Sequence, residues 1–232
     1  MRLVVFSDIH GNSYALNVFL EKIKKISYDY LVFCGDIFGY YYNQKEILKQ
    51  LSNLDRLIWL RGNHDDYFLN IYAGKTHDEY YIEQYGHSYD NLIKRYSKEE
   101  AELIASHGSE YVLEKGNCRV GIFHGTPLDT LEGRLYPDKP FLNIEEYQKY
   151  NIIILGHTHC RMLRKTGDTL VVNPGSLGQP RDGRGYSFAV IDTISQSVEF
   201  KKIEFDQTLL YQQIDQFDPD LKKLKEVLER RV

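Results

Sequence analysis

Leu3–Val4–Val5–Phe6–Ser7–Asp8–Ile9–His10–Gly11–Asn12 begins as an unbroken apolar, β-branched run and stops in Asp-x-His, then Gly-Asn. An amphipathic segment follows, with Leu16, Phe19, Leu20 and Ile23 at helical spacing across Ser13–Ile26. The pattern predicts a buried strand, a tight turn and a helix start. In open α/β sheets, ligands sit in the crevice outside the carboxyl ends of the strands. Asp8 and His10 fall there. If the backbone stays extended, residues two apart point to one side, so both can face one ion. Alone, Asp8 reads equally well as a helix cap.

The next segments repeat the form. Tyr30–Cys34 is a second apolar strand, ending in Gly35–Asp36. Asn43–Leu54 has Ile47, Leu48, Leu51 and Leu54 on one helical face. Arg56–Leu60 ends in Arg61–Gly62–Asn63–His64–Asp65. Apolar strands alternating with helices predict a parallel sheet covered by helices. The rhythm breaks over 66–109, which carries no apolar strand, is rich in Tyr and charge, and reads as a helical cap inserted into the domain. Ser97 with Glu100 has capping-box spacing. Strands resume at Arg119–Phe123, ending in His124–Gly125, and at Asn151–Leu155, ending in Gly156–His157–Thr158–His159. Residues 129–143 read as a loop. Shorter strands follow at 160–165, 169–173, 186–192 and 197–203. The tail over 207–232 reads as helical and is split by Pro219.

The whole chain sets bounds. Its 232 residues suffice for one domain with an insertion. A net charge of −4 argues against a general nucleic-acid or membrane-surface binder. No apolar run is long enough to span a bilayer. Met1–Arg2 leads straight into a strand, which predicts no signal peptide. Three widely spaced cysteines do not form a disulfide framework. The expectation is a cytoplasmic protein.

Five strands thus end in Asp8-x-His10, Asp36, Asn63–His64–Asp65, His124 and His157-x-His159. The donors are carboxylate, imidazole and one amide, with no thiolate. That set suits Mn, Fe, Co, Ni or Zn. Seven candidate ligands exceed the needs of one ion and divide into two sites sharing a carboxylate. A single-metal hydrolase would leave several without a role. Two divalent ions carry four positive charges, of which Asp8 and Asp36 cancel two. The excess suits an anionic phosphoryl group.

These blocks, in this order, resemble the calcineurin-like metallophosphoesterases, and the run Asn173–Pro174–Gly175–Ser176–Leu177–Gly178–Gln179–Pro180–Arg181 is similar to small prokaryotic members. The resemblance implies a four-layer α/β/β/α sandwich of two mixed sheets. It implies that Asp8, His10 and His159 hold one metal, that Asn63, His124 and His157 hold the other, and that Asp36 bridges them. Mn and Fe lead the choice of ion. A hydroxide between the ions would attack phosphorus. His64 would protonate or steady the leaving oxygen, and Asp65 would orient His64. Arg181, Arg134 and Arg61 are candidate phosphate clamps, since guanidinium matches phosphate oxygens in pairs. Each reads otherwise as a solvated surface charge.

The expected reaction is hydrolysis of a phosphate ester or anhydride. The expected partner is a small phosphorylated substrate: a dinucleoside polyphosphate, a cyclic phosphodiester or a phosphoserine or phosphothreonine protein. The tail is a candidate contact for a homo-oligomer. The rival reading is a scaffold of the same fold that binds protein without catalysis. Scaffolds of that kind tend to lose the block around His64, which is intact here.

Overall fold

A computed structural model describes residues 1–229. The last three residues of the expected tail lie outside that range. Two five-stranded mixed sheets face each other. The first holds β1 (Arg2–Phe6), β2 (Tyr30–Phe33) and β3 (Leu57–Trp59), all parallel. The second is built around β5 (Cys118–Phe123), β6 (Ile152–Leu155) and β8 (Thr169–Pro174), again parallel. Antiparallel strands flank both. β4 (Glu110–Lys115) lies beside β5, and β7 (Arg161–Thr166) beside β8. β9 (Ser187–Asp192) pairs with β1, and β10 (Ser197–Lys202) with β9.

β1 shows why the central strands are apolar throughout. Side chains alternate across a strand, and here both faces are covered. Leu3 and Val5 join Val32, Val120, Ile122, Ile152, Ile154 and Val172 in the layer between the sheets. Val4 and Phe6 join Leu31 and Phe33 on the other face, under the helices. Each fully buried aliphatic side chain contributes roughly 1.5–3 kcal/mol.

On the outer face of the first sheet lie α1 (Ser13–Ile23) and α2 (Gln44–Leu51). The Tyr-rich segment forms α3 (Asn63–Tyr72), α4 (Asp78–Tyr85), a 3₁₀ turn (His87–Tyr89), α5 (Leu92–Arg95) and α6 (Lys98–Ala105). The capping box forms: Glu100 N–H donates to Ser97 Oγ, and Ser97 N–H to Glu100 Oε2. Phe68, Ile71, Tyr89, Leu92, Tyr96, Ala101 and Ile104 from this segment pack into the same core as α1 and α2. The outer face of the second sheet is covered thinly. One turn, α7 (Ile144–Tyr147), and the loop carrying Leu135 and Phe141 lie over Phe123, Ile153, Leu155 and Val171. The tail forms α8 (Thr208–Phe217) and α9 (Lys223–Glu229), docked on Tyr41 through Leu210, Ile214 and Leu224. No helix among the described residues is long and apolar enough to cross a membrane.

β4 has no counterpart among the strands expected from the sequence. It is an edge strand in which Leu113 alone is buried, so it lacks an apolar run.

Candidate metal centre

The C-terminal ends of β1, β2, β3, β5 and β6 meet at one edge of the sandwich, and hydrogen bonds lace their loops together. The Asp8, Ile9 and His10 amides donate to the carbonyls of Gly35 and Asp36. Gly156 N–H donates to His124 O, bringing the two loops of the second sheet together. Gly178 N–H and Ser176 Oγ both donate to Asp8 O. Gly62 permits a close approach: a Cβ there would lie 2.1 Å from Asp36 Oδ1.

The backbone is not extended at the ligand positions. Asp8, His10, Asp36, His157 and His159 have φ of 55°, 48°, 70°, 63° and 57°. Asp8 and His10 do face one point, but left-handed turns aim them, not strand alternation. Asp and His are among the few residue types enriched in that region.

Two groups of side chains result. Asp8, His10, Asp36 and His159 each place a ligand atom within 4.8 Å of the others. Asp36, His124 and His157 do the same. Asp36 belongs to both. Asn63 Oδ1 lies 3.1 Å from His124 Nε2. The expected ligand residues therefore converge.

The donor chemistry fits a cation. His10 Nδ1 lies 2.6 Å from Phe38 O, His159 Nδ1 2.7 Å from Gln179 O and His124 Nδ1 2.6 Å from Cys34 O. A carbonyl only accepts, so each Nδ1 carries the proton and each Nε2 presents a lone pair. His10 Nε2 and His159 Nε2 nevertheless face each other at 3.0 Å. His124 Nε2 sits 3.5 Å from Asp36 Oδ2. Asp8 Oδ1, Asp8 Oδ2, Asp36 Oδ2 and His157 Nε2 are buried with no hydrogen-bond partner. Buried acceptors turned on one another without a donor are costly. A metal ion between them would supply the missing charge.

The titration behaviour agrees. Burial pushes Asp8 up to about 7, with Asp36 adding repulsion and His124 opposing. Burial, with Asp65 beside it, raises Asp36 well above the usual range. Burial lowers His10 and His159, which stay neutral. His157 is pushed down to about 2 by burial and by repulsion from His124, Arg134 and Arg181.

A recess of about 200 Å³ opens over these groups, lined by Tyr40, Tyr67, Tyr85, Arg134 and Arg181 besides Asp36, Asn63, His64, His157 and His159. Arg181 donates to Tyr40 Oη at 2.8 Å and to Gln179. Arg134 stands 3.6 Å from Glu132 Oε2. Arg61 does not line the recess. Its guanidinium pairs with Asp66 at 2.5 Å and donates to Ala105 O, so a phosphate clamp there is corrected to a tie between α3 and the end of α6.

Asp65 is also corrected. Its carboxylate accepts from the amides of Asp36, Ile37, Phe38 and Gly62 and does not bond the His64 ring. It caps α3 and fixes the loop that carries Asp36. Successive helical residues point about 100° apart, which parts the two side chains. The ring instead meets Tyr89 Oη at 2.7 Å.

Three residues near the centre had no sequence signal of their own. Tyr40 and Tyr89 are two of 19 tyrosines. Glu132 sits in a loop without a motif. Its carboxylate accepts from Tyr67 Oη at 2.8 Å, and Tyr67 accepts from Asn63 Nδ2 at 3.0 Å. That chain turns Asn63 Oδ1 toward His124.

Known proteins resemble this chain in sequence and fold. The uncharacterized protein MJ0912 of Methanocaldococcus jannaschii is 28% identical over 231 residues, covering 91% of each chain. Phosphodiesterase YfcE of Escherichia coli is 22% identical, covering 85% of this chain and 91% of its own. The crystal structure of a metallophosphoesterase from Sphaerobacter thermophilus superposes with a TM-score of 0.79 at 22% identity, over 100% of both chains, and shares the fold. The model of the Calcineurin-like phosphoesterase superfamily domain matches residues 1–196, and the chain belongs to that superfamily as a hydrolase acting on phosphoric esters.

Proposed function

We propose that the chain hydrolyses a small phosphate ester with two divalent transition-metal ions. Asp8, His10, Asp36 and His159 would hold one ion. Asp36, Asn63, His124 and His157 would hold the other. Bound there, the ions supply positive charge to phosphoryl oxygens and make water a stronger acid. The observation that carries this reading is the cluster of inward-facing acceptors with no donor among them. Mn or Fe is favoured, as the donor set of carboxylate, imidazole and amide oxygen allows.

The protein's own groups do the rest. Asp36 sits between both groups and accepts the His64 amide at 2.9 Å through its other oxygen, which fixes its direction. Arg181 and Arg134 line the recess and would orient phosphate oxygens. His64 lines the same recess, where it would steady the leaving oxygen.

The recess favours a small substrate. About 200 Å³ admits a phosphoryl group and part of its ester, while the tyrosines of α3 and α4 restrict the approach of a phosphoprotein loop. Tyr67, Tyr81 and Tyr85 pack ring against ring beside His64. A base stacked on such a ring gains roughly 1–3 kcal/mol. A nucleotide, either a cyclic phosphodiester or a dinucleoside polyphosphate, is the substrate class we favour.

The test is a screen of metals against substrates. Chelator-treated protein is reloaded with Mn, Fe, Co, Ni or Zn. It is then assayed on bis(p-nitrophenyl) phosphate, p-nitrophenyl phosphate, a cyclic nucleotide, diadenosine tetraphosphate and a phosphopeptide. The expected result is metal-dependent hydrolysis with a nucleotide preferred over the phosphopeptide. Preference for the phosphopeptide would remove the substrate assignment. Undiminished activity in chelator would remove the metal reading.

A further inference from the structure

Four histidines of the centre have their Nδ1 atoms tied down, and one tie differs in kind. His10, His124 and His159 meet backbone carbonyls, which can only accept. His64 meets the phenol hydroxyl of Tyr89, at 2.7 Å. A hydroxyl can donate. Its other reachable acceptor, His64 O, is farther away at 3.3 Å. We infer that Tyr89 is a positioning residue: its hydroxyl donates to His64 Nδ1, which places the ring's proton on Nε2 and turns that N–H into the recess. The inference rests on the proposed role of His64 beside the leaving oxygen.

The contrast has chemical meaning. A ring with its proton on Nδ1 offers a lone pair at Nε2 and suits a metal. A ring with its proton on Nε2 repels a metal there and offers a hydrogen bond. One fold thus prepares neighbouring imidazoles for opposite tasks, by the choice of partner behind each ring. His64 lies 4.9 Å from His10, ring to ring, so without such a device both could present lone pairs to the same ions.

The surroundings hold Tyr89 to this task. It is fully buried, at the end of the 3₁₀ turn, with Tyr81 and Tyr85 against its ring. Gly39 leaves room for the His64 ring, since a Cβ there would lie 2.5 Å from His64 Nδ1. No other side chain is hydrogen-bonded to that nitrogen among the described residues. The Nε2–H would donate a hydrogen bond to the leaving oxygen as negative charge gathers on it. No ring proton need be lost, because the departed oxygen can take its proton from water.

The test compares leaving groups. A poor leaving group gathers more charge on oxygen and depends more on the hydrogen bond than p-nitrophenolate does. In the metal-loaded enzyme, Tyr89→Phe should lower kcat on a phenyl or alkyl ester roughly tenfold or more, in the range of a hydrogen bond to a charged group. It should change kcat on the p-nitrophenyl ester much less, with KM and metal content near wild type. Nitrogen-15 spectra of histidine-labelled, zinc-loaded wild-type protein should show the His64 proton on Nε2. That measurement needs no variant, so misfolding of Tyr89→Phe cannot mask the answer. A proton on Nδ1 in the wild type, or equal kcat losses across all leaving groups, would overturn the inference. His64→Ala separates the two claims. If it leaves kcat unchanged, the role of His64 itself falls. If it lowers kcat while Tyr89→Phe leaves the leaving-group dependence intact, only the role of Tyr89 falls.

Discussion

Asp8→Asn should stabilise the chelator-treated protein while removing its metal-dependent activity. Asp8 is fully buried, and burial lifts it from 3.8 to about 7. The folded chain therefore holds this proton up to about pH 7, whereas the unfolded chain releases it near 3.8. Between those values folding takes up a proton, so stability is full below 3.8 and falls as pH rises toward about 7. Each pH unit in that window costs about 1.4 kcal/mol. Relative to the fully protonated group, the loss is about 1.6 kcal/mol at pH 5 and about 4 kcal/mol at pH 8. Asn has the same shape, tolerates the left-handed backbone at this position and carries no charge to desolvate. Its amide also offers a donor where His159 Nε2 now stands 3.4 Å from Asp8 Oδ1. At about 3 °C per kcal/mol for a chain of this size, the metal-free variant should melt about 5 °C above wild type at pH 5 and about 12 °C above it at pH 8. The assay is thermal unfolding in chelator, at both pH values, for both proteins. A variant no more stable than wild type at pH 8, or a gap that does not widen from pH 5 to pH 8, would refute the reasoning.

Asp36→Asn should lower metal content at both positions, because Asp36 belongs to both ligand groups; elemental analysis that still finds two ions per chain would count against a shared carboxylate. His64→Ala should lower kcat by roughly 10²–10³-fold, the range for removing one donor aimed at developing charge, with metal content near wild type; loss of a metal in this variant would reassign His64 as a ligand. Tyr85→Ala should reduce kcat/KM on diadenosine tetraphosphate by roughly 5- to 150-fold, the range of a lost base stack, while sparing p-nitrophenyl phosphate; equal loss on both substrates would confine this tyrosine to packing.

The parts of the fold that were legible in the sequence share a physical cause. β1, β2, β5 and β6 are covered on both faces, so they read as apolar runs, and a candidate ligand block follows directly where each run stops. β4 escaped because an edge strand need bury only one side. The convergence of the candidate ligands was legible because they all lie at strand ends that parallel strands bring to one edge. What lies behind the ligands was not legible. Asp65 follows His64 in sequence yet points to the loop after β2. Tyr89 reaches His64 across 25 residues of helix and turn. Arg61 precedes the ligand block but finds Asp66 on the first turn of α3 before it can find a phosphate. In each case a contact is chosen by side-chain direction, which spacing along the chain does not fix.

The left-handed turns explain why the blocks have the composition they do. Strands of two facing sheets point their ends past the edge, not toward each other, so each chain must bend sharply for its side chain to reach a common centre. Asp8, His10, Asp36, His157 and His159 make that bend with positive φ. Such a conformation costs on the order of 1–2 kcal/mol per non-glycine residue. Five of them amount to roughly 5–10 kcal/mol before allowance for the tolerance of Asp and His, comparable with the whole stability of an ordinary domain. The bends persist because the loops over-determine them: the carbonyls of Asp8 and Asp36 each accept two hydrogen bonds from neighbouring segments. On the proposed reading, residues at these points would both hold a metal and accept the left-handed region. Asp, Asn and His satisfy both demands, while a β-branched or bulky apolar residue satisfies neither. The motif is then as much a statement about backbone geometry as about coordination, and a cation drawn into the cluster offsets the backbone strain and the desolvation of the carboxylates together.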